Sequence, residues 1–315
     1  MSEQILRAAV VGVGHLGRHH ARILGSMPGV ALVGVVDING QRAAEIAAPS
    51  GARALTDVRD LLDQVDLVSI ATPTEAHADV AGVCLDRGIP VLVEKPLARS
   101  VAECDAIIAR AARSGAILAV GHTERFNPAV LAARGAVDNP GFIEIHRLGT
   151  FPERSLDIDV VFDLMIHDLD LVLSLVKSPI EAIEAVGVPV LTDRADIANA
   201  RIRFASGCVA NITASRISRD RVRKIRFFQR DAYISIDCGA KEAEVYRLVR
   251  QEGARPVIRG GRIEVPDSEP LRNELDDFVA AVRERRAPAV GGTDGRDAVR
   301  LAEQITERMA ACTRI

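Results

Sequence analysis

The stretch "AAVVGVGHLGRHHARIL", residues 8 to 24, constrains this chain more than any other. A β-branched run stops at Gly12, further glycines follow at 14 and 17, and an amphipathic segment begins at once. That order fits a strand, a tight turn and a helix. The first glycine turns the chain, the second lets backbone approach a pyrophosphate, and the third allows close helix packing while the helix N-terminus stabilises the anion. A lone GxGxxG says little, but here a carboxylate completes it. Asp37 closes the next strand-like run, where it can bind the ribose hydroxyls of adenosine and repel a 2′-phosphate, which predicts NAD rather than NADP. The expected contacts are Gly12, Gly14, His15, Leu16, Gly17 and Asp37.

The same grammar continues to residue 121. The runs "ALVGVVD", "VDLVSIATP", "IPVLVEK" and "AILAVGH" read as strands buried on both faces, because they lack period-2 alternation. Between them "QRAAEIAA", "EAHADVAGVCLDRG" and "SVAECDAIIARAARSG" read as helices, two of them closed by glycine. Strand and helix in alternation predict an α/β domain over residues 1–121, a doubly wound parallel Rossmann sheet. After "GHTERFNPAV" the pattern changes: "GFIEIHRLGTF" leads to one helix, and then six strand-like runs follow without long helices. Residues 122–315 are therefore expected to form an α+β domain with an open-faced, largely antiparallel sheet and two closing helices. The uncovered face predicts pairing with further copies, as a homodimer or homotetramer.

Bulk properties narrow the partners. A formal charge of −3 spread over 315 residues gives no basic field for nucleic acid or an anionic membrane, and no apolar run reaches the ~20 residues of a membrane span. The N-terminus lacks the pattern of a signal peptide, so a cytoplasmic location is expected. Five cysteines without CxxC or Cys/His spacing argue against a disulfide framework and predict no metal site. Small molecules remain.

Two strand ends and one helix carry further chemistry. "ATPTEAH" places Thr72, Pro73, Thr74 and His77 where open α/β sheets bind ligands, although Thr74 could equally cap the following helix. "VEKPL" brings Glu94 and Lys95 to the same side, and a fixed ammonium there can stabilise an alkoxide as hydride leaves its carbon. In "VVFDLMIHDLDLVLSL" an apolar helix carries Asp163, His167 and Asp170 on one stripe, at i, i+4 and i+7. The stripe faces solvent, or ties down a core histidine, or serves a site.

Together, "GVGHLG", "ATPTEAH", "EKP" and "DLMIHDLD", with a β-rich second half, resemble the Gfo/Idh/MocA family of NAD(P)-dependent oxidoreductases over essentially the whole chain. The resemblance implies that Lys95, Asp163 and His167 form the catalytic centre, with the stripe facing an interdomain cleft. His167 then accepts the proton of a sugar hydroxyl, Asp163 orients the ring, and Lys95 stabilises the developing oxyanion. Whether Lys95 or His167 takes the proton stays open.

"VGHTERFNPAV" further resembles family members that oxidise nucleotide sugars, particularly the 3-hydroxyl of UDP-N-acetylglucosamine for amino-sugar or lipid A synthesis. On that reading Arg125 and Asn127 contact a UDP-linked sugar substrate, Arg154 faces its diphosphate, and Asp170 binds a hydroxyl. Each has a plainer alternative: Asn127 caps a helix begun by Pro128, Asp170 caps backbone, and Arg147 and Arg154 are surface cations. Oxidation of a free cyclitol or aldose, a redox-neutral reaction on tightly held NAD, and a non-catalytic NAD-binding regulator are the competing functions.

Overall fold

Strand β1 (Leu6–Val11) sits at the centre of a six-stranded parallel sheet. The computed structural model describes residues 5–151, 158–251 and 254–312. From β1 the chain passes through α1 (Gly17–Gly25), β2 (Val30–Val36), α2 (Gly40–Ala47), β3 (Arg53–Leu55), β4 (Leu67–Ile70), α3 (His77–Leu85), β5 (Val91–Glu94), α4 (Val101–Ser114) and β6 (Leu118–Gly121). The sheet order is β3-β2-β1-β4-β5-β6, the doubly wound arrangement expected from the alternation. Every residue of β4, β5 and β6 is buried, which is why these strands read as continuous apolar runs. Local chemistry sets the helix ends: the Asn39 side chain accepts from Arg42 N–H, Ser100 accepts from Glu103 N–H, and Gly115 takes the left-handed conformation that stops α4.

The second sheet has eight strands. After α5 (Pro128–Ala133) come β7 (Phe142–Leu148), α6 (Ile166–Leu175), β8 (Ile180–Val188), β9 (Ile197–Phe204), β10 (Val209–Ser215), β11 (Val222–Gln229), β12 (Ala232–Asp237), β13 (Glu242–Val249) and β14 (Val257–Arg262). Their order is β14-β13-β12-β11-β7-β10-β9-β8, antiparallel throughout except where β7 runs parallel to β10. One face is apolar and closed by helices, with Val130, Met165, Leu169 and Ile305 packed on Ile145, Ile202, Ile212 and Phe227. On the other face Phe142, Phe228, Tyr233 and Tyr246 form a row of rings with centroid separations of 5.7, 5.2 and 6.2 Å. Cys84, Cys104, Cys208 and Cys238 are free and buried, and burial pushes the Cys84 thiol up to about 12.

Helices α7 (Pro270–Glu284) and α8 (Gly292–Cys312) end the chain. The break between the units falls one residue from the expected 121/122, but a later segment of the chain returns to the first unit. Residues up to His122 form one unit with Leu271–Val299, whereas Thr123–Pro270 and the chain from Arg300 form the other. The reason is burial: Leu271, Leu275, Phe278 and Val279 share a core with Leu6, Val10, Leu24 and Leu32. Among the described residues no helix is long and apolar enough to cross a membrane.

Candidate active site

The loop after β1 is shaped for close packing on one side and for a ligand on the other. A Cβ on Gly12 would lie 2.6 Å from Thr72 N, and one on Gly17 would lie 1.8 Å from the Gly12 carbonyl oxygen. At Gly14 a Cβ would meet nothing within 4 Å, so the backbone is open there for a pyrophosphate to approach the start of α1. Asp37 is buried at the end of β2, where it accepts the Val13 N–H at 2.9 Å and the Asn39 N–H at 2.9 Å, with Arg42 Nη1 3.5 Å away. These bonds orient its carboxylate in advance. Thr72 Oγ1, at the end of β4, is buried and has no protein hydrogen-bond partner among the described residues. An open glycine, an oriented acid and an unsatisfied hydroxyl at three adjoining strand ends fit a dinucleotide. His15 and Leu16 are exposed on this loop, and Pro73 and Thr74 follow Thr72. Thr74 makes no capping bond: Pro73 precedes the short helical turn, and no side chain caps it.

Two expected cofactor contacts prove to be internal. His77 is buried, with Nδ1 3.0 Å from the Pro96 carbonyl and Nε2 2.9 Å from the Thr72 carbonyl. Both partners only accept, so a neutral ring donates to one of the two carbonyls while its other nitrogen faces the second, and both nitrogens are turned to the backbone of this unit. Glu94 is only 5% exposed and turns inward toward His20. Burying a carboxylate without a partner is costly, and the partner lies inside the unit rather than at its surface. Lys95 follows Glu94 at the end of β5, before a cis peptide to Pro96.

In the second unit the helix of the polar stripe begins with a π-helical turn, Val161–Met165, before continuing as α6. Such turns recur at functional sites, and nothing in the residue spacing announced this one. Asp159 Oδ1 accepts the N–H groups of Val161 and Phe162, and buried Arg216 donates to the Ile158 carbonyl at 2.7 Å, which fixes the way in to the helix. Asp163 and His167 lie on this helix, both half-buried. The other acids of the stretch are buried and paired. Asp168 accepts two bonds of 2.7 Å from Arg147, whose Nη1 also donates to Glu124 at 2.9 Å. Burial works against the Arg147 charge, but the Asp168 and Glu124 carboxylates outweigh it and hold the guanidinium well above its ordinary value. Arg147 is thus an internal strut between β7 and α6, not a surface cation.

Asp170 is corrected in the same way. It is buried and accepts two bonds from Arg125, Nε at 2.7 Å and Nη2 at 2.6 Å, so it holds an arginine rather than a substrate hydroxyl. Arg125 itself keeps 16% side-chain exposure. Asn127 takes its plainer role: its Oδ1 accepts the Ala129 N–H at the start of α5, and its amide donates to Glu124 and to the Cys238 carbonyl. Arg154 lies outside the described residues. Lys95 stands in the first unit, and Asp163 and His167 in the second. Sequence reasoning missed Glu124, Asp168 and Arg216, whose partners are far away in the chain.

With these positions fixed, comparison with known proteins decides the kinship. The model of the Gfo/Idh/MocA oxidoreductases, described as an NAD-binding Rossmann fold, matches residues 6–122, and that of the family's C-terminal domain matches residues 129–235. The chain belongs to the Gfo/Idh/MocA family. It is an NAD-dependent dehydrogenase. A UDP-N-acetylglucosamine 3-dehydrogenase from Acidithiobacillus ferrooxidans is 41% identical over 304 residues, which is 95% of this chain and 96% of the relative. A solved structure of that enzyme superposes with a TM-score of 0.90 over 97% of this chain and 98% of the other. A scyllo-inositol 2-dehydrogenase (NAD(+)) from Bacillus subtilis is 31% identical over 69% of each chain. Levoglucosan dehydrogenase, at 22% identity and a TM-score of 0.86, covers 97% of each chain and shares the fold.

Proposed function

We propose that this chain oxidises the 3-hydroxyl of UDP-N-acetylglucosamine to the 3-keto sugar, feeding amino-sugar or lipid A synthesis in the cytoplasm. One observation carries the reading: 41% identity along almost the full length of both chains to a dehydrogenase of that name. Bound NAD supplies the hydride acceptor. His167 takes the proton of the hydroxyl, and Asp163, four residues earlier on the same helix, orients the imidazole and favours its protonated form. Lys95 hydrogen-bonds the same oxygen and stabilises the negative charge that develops on it. Arg125, held in place by Asp170, and Arg154 bind the diphosphate, a task suited to the planar guanidinium. Pairing of copies through the row formed by Phe142, Phe228, Tyr233 and Tyr246 gives a homodimer or homotetramer, which light scattering after gel filtration reads directly.

The test is spectrophotometric. With purified protein and NAD, absorbance of NADH rises with UDP-N-acetylglucosamine and stays flat with inositol or glucose. The reverse pattern would transfer the chain to the cyclitol and aldose dehydrogenases, and silence with every sugar would favour a binding protein. Lys95→Met and His167→Ala each lower kcat by about 10²–10³-fold while NADH still binds.

A further inference from the structure

Beneath the turn that carries Lys95 lies a buried polar chain that the proposed chemistry does not use. Ser69 on β4 and His20 on α1 are fully buried, and their Oγ and Nδ1 atoms are 2.7 Å apart. His20 Nε2 lies 3.1 Å from Glu94 Oε1, and Glu94 Oε2 accepts the backbone N–H of Lys95 at 3.2 Å. Strand β6 leaves room for this: a Cβ on Gly121 would come within 2.9 Å of Glu94 Oε1. Nδ1 meets the serine hydroxyl, whereas Nε2 faces the carboxylate at 3.1 Å without hydrogen-bond geometry, so Nε2 and Oε1 touch with neither atom hydrogen-bonded among the described residues. The residue types are those of a nucleophilic triad, but an acyl group has no access to a fully buried Ser69, so hydrolysis is not their purpose.

Stability does not explain them either. Apolar side chains of the same volume would fill the site at no less stability, because a buried polar network with unsatisfied atoms recovers little of its desolvation cost. What the chain of contacts reaches is the peptide of Lys95. We propose that Ser69, His20 and Glu94 form a positioning relay that grips the Lys95 turn by its N–H and so sets where the ammonium stands. His20 lies in the first turn of the helix that opens at the glycine loop, so the element facing the pyrophosphate also anchors that turn. The inference rests on the reading of Lys95 as the group that stabilises the oxyanion.

The experiment uses the chain's scarcity of lysine. With ¹³C at lysine Cε the protein gives four signals, for Lys95, Lys177, Lys224 and Lys241, and the first is identified by its loss in Lys95→Met. In Glu94→Ala and His20→Phe the Lys95 signal moves and the other three stay. With UDP-N-acetylglucosamine as substrate, kcat falls about 10- to 100-fold, the scale of a misplacement near 1 Å, while NADH affinity by fluorescence titration stays within about threefold. Glu94→Gln keeps an oxygen for the Lys95 N–H and recovers part of the loss. Ser69→Ala preserves packing if the larger changes unfold the protein, and it moves the Lys95 signal with a smaller fall in kcat. The relay is overturned if the Lys95 signal stays in place in Ser69→Ala and Glu94→Gln, or if turnover falls only in step with NADH affinity. Wild-type turnover in Lys95→Met would instead strike the functional reading, leaving the relay to stand or fall on the lysine signal alone.

Discussion

Replacing Arg147 with Met removes one cation from between two carboxylates while keeping an apolar stem of similar length. Three charge-assisted hydrogen bonds are lost, at 2.7, 2.7 and 2.9 Å, and Asp168 and Glu124 are left buried without their partner. Breaking a buried pair from one side costs about 3–5 kcal/mol, so with a urea slope near 3 kcal/mol/M the midpoint should fall by roughly 1–1.7 M at pH 7. The pH dependence carries the sharper test. In the wild type burial pushes the Glu124 carboxyl up, but Arg147 outweighs burial and holds it below its ordinary value, so its contribution is intact at neutral pH. In the variant Glu124 would rise above its unfolded value and Asp168, which burial already raises in the wild type, would rise further, a contribution present at acid pH and lost as pH rises through the raised values. The deficit against wild type should therefore narrow as the buffer is lowered from pH 8 to about 5. A loss under about 1 kcal/mol, or a deficit that stays constant with pH, would show that the cluster is not a buried strut.

Three further outcomes are expected. Gly14→Ala should melt with the wild type yet bind NADH at least tenfold more weakly by fluorescence, because the added methyl points into open space, whereas Gly17→Ala should lower both the melting temperature and binding through its clash with the Gly12 carbonyl. Asp37→Ser should raise the KM for NAD about 10- to 100-fold and lower that for NADP, since Arg42 loses its carboxylate and becomes available to a 2′-phosphate; an unchanged preference in steady-state kinetics would refute it. At Asp196 burial pushes the carboxyl up, but the N–H groups of Leu191, Val190 and Thr192 and the Arg216 guanidinium outweigh it and hold it well below the ordinary range. That stability is present above the ordinary carboxylate value and lost as pH falls through the lowered one, so Asp196→Asn should cost about 2–3 kcal/mol in urea at pH 7 and converge with wild type toward pH 2.

Much of the first unit was legible because its signals are local. The glycines stand between a strand and a helix and Asp37 at the end of the next strand, where their spacing placed them, and the helix caps at Asn39 and Ser100 act over the same short range. What escaped depends on partners far along the chain. Strand β7 lies between β10 and β11, and its parallel pairing with β10 is fixed by the fold rather than by any turn. Strand β14, with Gly260 and Gly261 inside it, has too little β-branched character to be read as a strand. Around the helix of the polar stripe, side-chain periodicity could not tell buried acids from half-buried ones. Asp168 and Asp170 belong to the interior because Arg147 and Arg125 arrive from elsewhere to meet them, while Asp163 and His167 do not share that burial.

The return of Leu271–Val299 to the first core has a consequence for synthesis. A ribosome delivers the six parallel strands early, but Leu275, Phe278 and Val279 reach the exit tunnel only after the whole second sheet has been made. Until then a patch beside β1 lacks its apolar cover, so the growing chain must wait, or be chaperoned, with its nucleotide-binding half unfinished. A gene cut after codon 122 would encode every strand of that half and still yield an open wound in it.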